Sequence, residues 1–300
     1  MKIGVKLRSA PVPEREGPLP YSELRDLARM AEELGLDSVW IMDHVFFRWS
    51  EETTQGVWES WTTLSALAAA TTRIELGTLV LCTPFRNPAL LAKMAATLDE
   101  VSAGRLILGL GAGWHSPEFD ALGIPFDHRV SRFEEALAII KPLLRDGRVD
   151  FEGRYYRAPN CEITPRGPRA DGPPILIGGF GPRMLRLTAS YADMWNITAV
   201  QDPDVLQQRL AGLRAACERE GRDPDTLAVT AQLQVGYPDL GPLPGWMQTY
   251  LSGSDEDIAA QLAQYEDLGF SHLMFQFAPL SAAALTRLAN TVDIYRGRAA

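Results

Sequence analysis

Asp43 and His44 stand side by side directly after the apolar run SVWIM (38–42). A carboxylate beside an imidazole can hold or move a proton near neutral pH, because histidine titrates there and a carboxylate orients its ring. The chain has only four histidines, and this one closes an apolar strand, so Asp43 and His44 form the candidate catalytic pair. The plainer alternative is a strand-end pair that caps a neighbouring loop. A second pattern is IGGFGPRM (177–184). There an apolar strand runs into Gly178, Gly179 and Gly181, and Pro182 opens a helix with Arg183 in its first turn. Free N–H groups at such a helix start attract an anion, and glycine lets a phosphate come close. A tight turn would need glycine as well, but the phosphate reading is preferred.

Two further glycine patterns carry less. GLGAGWH (109–115) resembles a dinucleotide-binding loop, yet Trp114 stands where the third glycine belongs and no acidic residue closes a following strand. At the end of a strand, Gly111, Ala112 and their neighbours would instead let a flat ring or the Trp114 indole approach. Gly77, inside LGTLVLCTPF (76–85), marks a bulge, a close backbone approach or simply tight packing. His115, His128 and His272 read as structural or solvent-exposed, and no pair has metal-ligand spacing. No G-x-S-x-G elbow or Schiff-base lysine stands out, so the chemistry is expected to be borrowed from a bound cofactor, with no metal.

These residues need a frame, and strands and helices alternate along the whole chain. Strands are expected at 2–8, 37–42, 73–81, 105–111, 173–179, 192–197, 226–235 and 271–277. Helices are expected near 21–34, 59–72, 88–101, 131–145, 182–191, 203–220, 255–267 and 281–296. Leu24, Leu27, Ala28, Ala31 and Leu34 form a 3.6-period stripe ended by Gly35, and RVDFEGRYYRAP (148–159) reads as an inserted hairpin turning at Glu152-Gly153. Eight such units predict an α/β fold, a (β/α)8 TIM barrel forming one domain over 1–300, with insertions after strands 2, 4 and 7. In such a barrel the C-terminal strand ends, where Asp43 and His44 lie, line the active site.

The net charge of −9 and sequence pI near 5.1 leave no cationic excess for phosphate backbones or anionic membranes. Cys82, Cys161 and Cys217 are far apart and without a C-x-x-C pair, which points to a reducing compartment. No signal-peptide pattern opens the chain, and no apolar run approaches the ~18 residues of a membrane helix. A cytoplasmic protein is expected.

With these pieces in place, the sequence resembles the bacterial luciferase-like superfamily, and within it the branch that uses coenzyme F420, a 5-deazaflavin. The resemblance rests on segments 34–45, 71–114, GIPF (123–126), FEGRYYR (151–157) and 173–196. It covers about residues 1–200, and the C-terminal third matches only in its barrel pattern. It implies that His44 sits beside the deazaflavin ring as acid/base or charge stabiliser and that Asp43 orients it. It implies a non-prolyl cis peptide at Leu79-Val80 supporting the ring face, cofactor contacts from Cys82, Gly111 and Ala112, and a phosphate-bearing tail at Gly178, Gly179, Gly181 and Arg183. Trp195 and Asn196 would lie near the cofactor, and Trp49 and Trp114 near the substrate. Two positions depart from the pattern: sugar-phosphate dehydrogenases of this branch carry a glutamate where Ala112 stands, and Cys82 replaces a threonine.

The leading expectation is therefore an F420-dependent oxidoreductase passing a hydride between deazaflavin C5 and a small organic substrate. The aromatic content around Trp40, Trp49, Trp58, Trp61 and Trp114 suits a flat or apolar one, although some of these must be core. The alternatives are an FMN-dependent monooxygenase fed by a separate flavin reductase, and a non-catalytic flavin or deazaflavin carrier. An F420 reductase or flavin reductase would be the functional partner. The apolar face of LLAKMAATL (90–98) suits either a homodimer or packing on the barrel.

Overall fold

Along the chain run β1 (Lys2–Leu7), α1 (Tyr21–Glu33), β2 (Ser38–Ile41), β3 (Phe46–Arg48), β4 (Thr54–Gly56), α2 (Ser60–Ala70), β5 (Glu75–Thr78), β6 (Leu81–Cys82) and α3 (Pro88–Val101). There follow β7 (Leu106–Gly111), α4 (Ser116–Leu122), α5 (Arg129–Asp146), β8 (Arg148–Glu152), β9 (Arg157–Glu162), β10 (Ile175–Gly178) and α6 (Pro182–Tyr191). The chain closes with β11 (Met194–Thr198), α7 (Pro203–Arg219), β12 (Ala228–Gly236), α8 (Asp255–Asp267), β13 (Phe270–Ala278) and α9 (Ala282–Tyr295). This computed structural model describes residues 1–11, 17–50, 52–198 and 202–297, so part of the proline-rich 9–20 loop and residues 298–300 lie outside the described residues.

Strands β1, β2, β5, β7, β10, β11, β12 and β13 pair in parallel, and the β13–β1 and β7–β10 ladders close them into an eight-stranded barrel. Parallel strands sealed by helices bury both faces, hence the near-continuous apolar runs. In β1 every residue after Lys2 is buried. The helices bury the stripes that their periodicity shows: Leu24, Leu27, Ala28 and Ala31 in α1, which ends before Gly35 at φ +79°. In α3, Leu91, Ala92, Ala95, Ala96 and Leu98 pack inward, while Leu90 and Val101 face outward.

Inside the barrel, Trp40, Leu79, Ile107, Leu176 and Met274 form a separate apolar layer. Gly77 belongs to that layer: a Cβ there would fall 2.2 Å from the Trp40 ring, so the indole, not a ligand, requires the glycine. Below it, Trp40 Nε1 donates to Ser38 Oγ at 2.7 Å, and Ser38 Oγ lies 2.7 Å from His272 Nε2. The indole N–H and the imidazole Nε2 thus meet on one hydroxyl, which a serine can serve because its oxygen has two lone pairs and one hydrogen. His272 is buried as a neutral ring.

Three local features differ from the periodic pattern. The third barrel strand, expected as continuous over 73–81, is interrupted at a cis Leu79-Val80 peptide and resumes as β6, paired only with β7. The loop after β7 contains α4. Its sequence HSPEF shows no apolar periodicity long enough to reveal a seven-residue helix. The insertion after β2 carries the β3–β4 hairpin, and the β8–β9 hairpin joins α5 to β10. Among the described residues no helix is long and apolar enough to cross a membrane.

Candidate functional site

A cavity of about 730 Å³ opens at the C-terminal end of the barrel, walled by the strand ends and by the loops that follow them. His44 follows β2 and lines it. Its Nδ1 lies 2.9 Å from Glu118 Oε2, on α4, while Glu118 Oε1 accepts the Val45 N–H at 2.7 Å. Glu118 is 2% exposed. A buried carboxylate already holding a backbone N–H acts as acceptor, so Nδ1 of His44 carries the hydrogen and Nε2 is left for the cavity. The ring is packed by Phe47 at 4.3 Å and Trp114 at 5.4 Å between centroids. Trp49 and Trp114, both more than half exposed, stack at 5.8 Å and form an aromatic rim. His115, buried behind that rim, accepts the Arg48 N–H through Nε2, and burial lowers its pKa.

Asp43 lines the same cavity but does not orient His44, which corrects the pairing inferred from their adjacency. Adjacency along the chain does not pair the two side chains: His44 is held by Glu118 and Asp43 by other partners. The Asp43 carboxylate turns instead to Arg86, at 2.7 and 3.1 Å, to the Cys82 N–H at 2.8 Å and to Ser60 Oγ at 2.5 Å. Arg86 is also held by Glu59 at 2.6 Å. This buried network ties the end of β2 to the segment after β6 and so fixes the cavity wall made by Leu79, Val80, Leu81 and Cys82. Burial, followed by the Asp43 and Glu118 carboxylates, pushes the Cys82 thiol far up, so it stays protonated.

The other expected residues divide. Gly178, Gly179 and Asn196 line the cavity along with Leu79, Val80, Cys82, Trp49 and Trp114. Gly111 lies behind the wall, where a Cβ would come 2.7 Å from Val80 Cγ2, and Ala112 packs on the main core. Trp195 is fully buried and donates through Nε1 to the Gly179 carbonyl at 2.7 Å, so it props the glycine turn from behind. Gly181 caps α6. Arg183 is turned away: its guanidinium reaches Glu134 at 2.7 Å and Ser131 at 3.1 Å on α5, because a nearby carboxylate outcompetes solvent for it. Of the tryptophans, Trp40 and Trp61 are core, and Trp58 is half exposed with its N–H on the Leu19 carbonyl.

Sequence reasoning missed Glu118, Lys6, Arg8, Gln232, Gln234, Gln276 and Trp246, all of which line the cavity. A usable signal existed for Lys6 and Arg8. Cations at i and i+2 on one face of an otherwise apolar strand are out of place unless they serve a site. For Glu118 there was none, since 74 residues separate it from His44.

Residues 1–239 match the family described as luciferase-like monooxygenase. The chain is 30% identical over 299 residues to an F420-dependent glucose-6-phosphate dehydrogenase of Kineococcus radiotolerans, with 84% of this chain and 86% of that one covered. It is 32% identical over 214 residues to a 5,10-methylenetetrahydromethanopterin reductase of Methanolobus tindarius, with 71% and 60% covered. In fold it resembles an F420-dependent secondary alcohol dehydrogenase holding an F420-acetone adduct, with a TM-score of 0.81 at 20% identity over 98% of this chain and 99% of that one. Monooxygenase RslO1 of Streptomyces bottropensis gives a TM-score of 0.81 at 21% identity, with 98% of each chain covered. The closed barrel, its interrupted third strand and the match over residues 1–239 lead to one conclusion: the chain belongs to the luciferase-like monooxygenase family.

Proposed function

We propose that this protein is a coenzyme F420-dependent oxidoreductase that moves a hydride between C5 of the deazaflavin and a small organic substrate, with His44 beside the reacting atoms. The observation that carries the reading is the His44–Glu118 hydrogen bond at the 730 Å³ cavity, which aims a proton-handling nitrogen into a space large enough for a flat cofactor. The names of the relatives from Kineococcus and Methanolobus support the oxidoreductase class, and the first supports the cofactor.

The residues fit that cofactor. Leu79, Val80 and Leu81 offer an apolar wall to a flat ring. At Gly178 a Cβ would stand 3.2 Å from Val80, and Gly179 has φ +139°, so the backbone there is bare for a phosphate-bearing tail. When bound, the deazaflavin supplies the hydride-carrying carbon.

The protein supplies the rest. Nε2 of His44 takes the hydroxyl proton when an alcohol is oxidised and returns it when a carbonyl is reduced. Glu118 holds the ring in the required tautomer and stabilises the positive charge the ring gains. Phe47, Trp49 and Trp114 keep water from the reacting atoms. The test is a fluorescence titration of the purified protein with oxidised F420 and, in parallel, with FMN, repeated on His44→Asn. Micromolar or tighter binding of F420 alone, kept in the variant while turnover over a substrate panel is lost, is the expected result. Binding of FMN alone would overturn the cofactor assignment, and full turnover in the variant would overturn the role of His44.

A further inference from the structure

Lys6 is a buried cation that no carboxylate among the described residues neutralises. It lies near the C-terminal end of β1, is 9% exposed and lines the cavity. Among the described residues its hydrogen bond goes to Gln232 Oε1 at 3.1 Å. Burial, and then the neighbouring Arg8, lower its pKa to about 8, so the ammonium is still charged at neutral pH. A buried charge without a counter-charge is costly, and a protein keeps one where a ligand supplies the partner.

The surrounding amides point the same way. An ammonium can only donate, so Gln232 must present its oxygen to Lys6 and its NH2 to Gln276 Oε1, 3.5 Å away. Gln276 is then left with its own NH2 for the cavity, together with two of the three Lys6 hydrogens. Arg8, two residues on and facing the same cavity, lies 4.7 Å from the Trp246 ring centroid. This end of the cavity is therefore lined by donors and positive charge. The carboxylates elsewhere in the lining are already engaged, Asp43 by Arg86 and Glu118 by His44.

From this arrangement we infer that Lys6, with Arg8 and Gln276, is the recognition site for a carboxylate on the substrate, which makes the substrate class a carbonyl or alcohol that is also an organic acid. The inference rests on the function proposed above. Barrel order favours the substrate over the acidic tail of the cofactor as the source of the anion. Strand β1 neighbours β2, which His44 follows, and stands four places round the ring from β10, whose glycine turn would hold the cofactor phosphate. The two anion sites face each other across the barrel mouth, with His44 beside the first.

Two titrations, kept separate, test this. Tryptophan fluorescence follows benzoate and its neutral counterpart benzamide binding to the wild type and to Lys6→Met, with melting curves confirming that both fold. F420 is titrated independently into the same two proteins. Benzoate is expected to bind at least tenfold more tightly than benzamide, and Lys6→Met is expected to abolish that preference while changing the F420 affinity less than threefold. Equal binding of benzoate and benzamide by the wild type, or a preference that survives in Lys6→Met, would overturn the inference. So would a variant that loses F420 affinity and keeps its benzoate preference, since the cations would then serve the cofactor tail. Failure of F420 to bind either protein would sink the proposed cofactor, yet the benzoate comparison would still decide the carboxylate site.

Discussion

Replacing Asp43 by asparagine removes one negative charge from a buried site and almost no volume. Asp43 is 4% exposed and accepts two hydrogen bonds from Arg86, one from Cys82 N–H and one from Ser60 Oγ. Removing one member of a buried ion pair strands the other and costs about 3–5 kcal/mol. Arg86 keeps Glu59 at 2.6 Å, and asparagine keeps one oxygen for Cys82 or Ser60, so the lower end, about 3 kcal/mol, applies. At ~2.1 cal/mol/K of unfolding entropy per residue, a chain of this length loses about 1.6 °C of Tm per kcal/mol, or roughly 5 °C in all. Calorimetry at pH 7 reads that shift, and turnover measured alongside separates the two roles Asp43 could play. With His44 oriented by Glu118, Asp43→Asn lowers Tm and largely keeps its rate at saturating cofactor. A Tm change below about 1 °C would refute the buried pair as the strut of the cavity wall. A variant that melts normally yet turns over no substrate would return the orienting role to Asp43.

Glu118→Gln is expected to do the reverse. Trading a charge-assisted hydrogen bond for a neutral one weakens support for the His44 imidazolium by about 1.4–2.8 kcal/mol, a 10- to 100-fold loss in kcat, with F420 affinity unchanged; an unaltered kcat would show that Glu118 has no part in catalysis. His272, whose pKa burial lowers from 6.5 to about 3, links stability to acid. Because the unfolded chain binds a proton there that the folded one refuses, its contribution is complete above pH 6.5 and is lost as pH falls toward 3. Between pH 6.5 and 5, His272→Asn should therefore lose about 2 kcal/mol less stability than the wild type; parallel losses in denaturant melts at the two pH values would contradict the buried neutral ring.

Much of the architecture was legible because it follows from local rules. The i, i+3, i+4 stripe of α1 and the unbroken apolar run of β1 each state which face is buried before any partner is known. Eight repeats of such units leave few ways to pack other than a closed barrel. Closure then places the residue after β2 and the turn after β10 at one mouth, which is why His44, Gly178 and Gly179 could be assigned to a site from sequence. The seven-residue α4 and the break at Leu79-Val80 depend on no such periodicity. The first has too few residues to show one, and the second was suggested only by family resemblance.

What the sequence by itself determined, then, is the barrel and the strand ends that open on its cavity. Only the tertiary structure decided which side chain meets which. Adjacency suggested that Asp43 serves His44, but the fold brings His44 a partner, Glu118, from 74 residues away and Asp43 a partner, Arg86, from 43. A helix start suggested that Arg183 meets a phosphate, but packing of α6 on α5 gives it Glu134. Lys6 finds Gln232 across 226 residues because β1 and β12 both flank β13 in the closed ring. Secondary structure follows from contacts a few residues apart, whereas electrostatic partners are chosen by whatever closure brings within about 3 Å, and no local pattern encodes that choice.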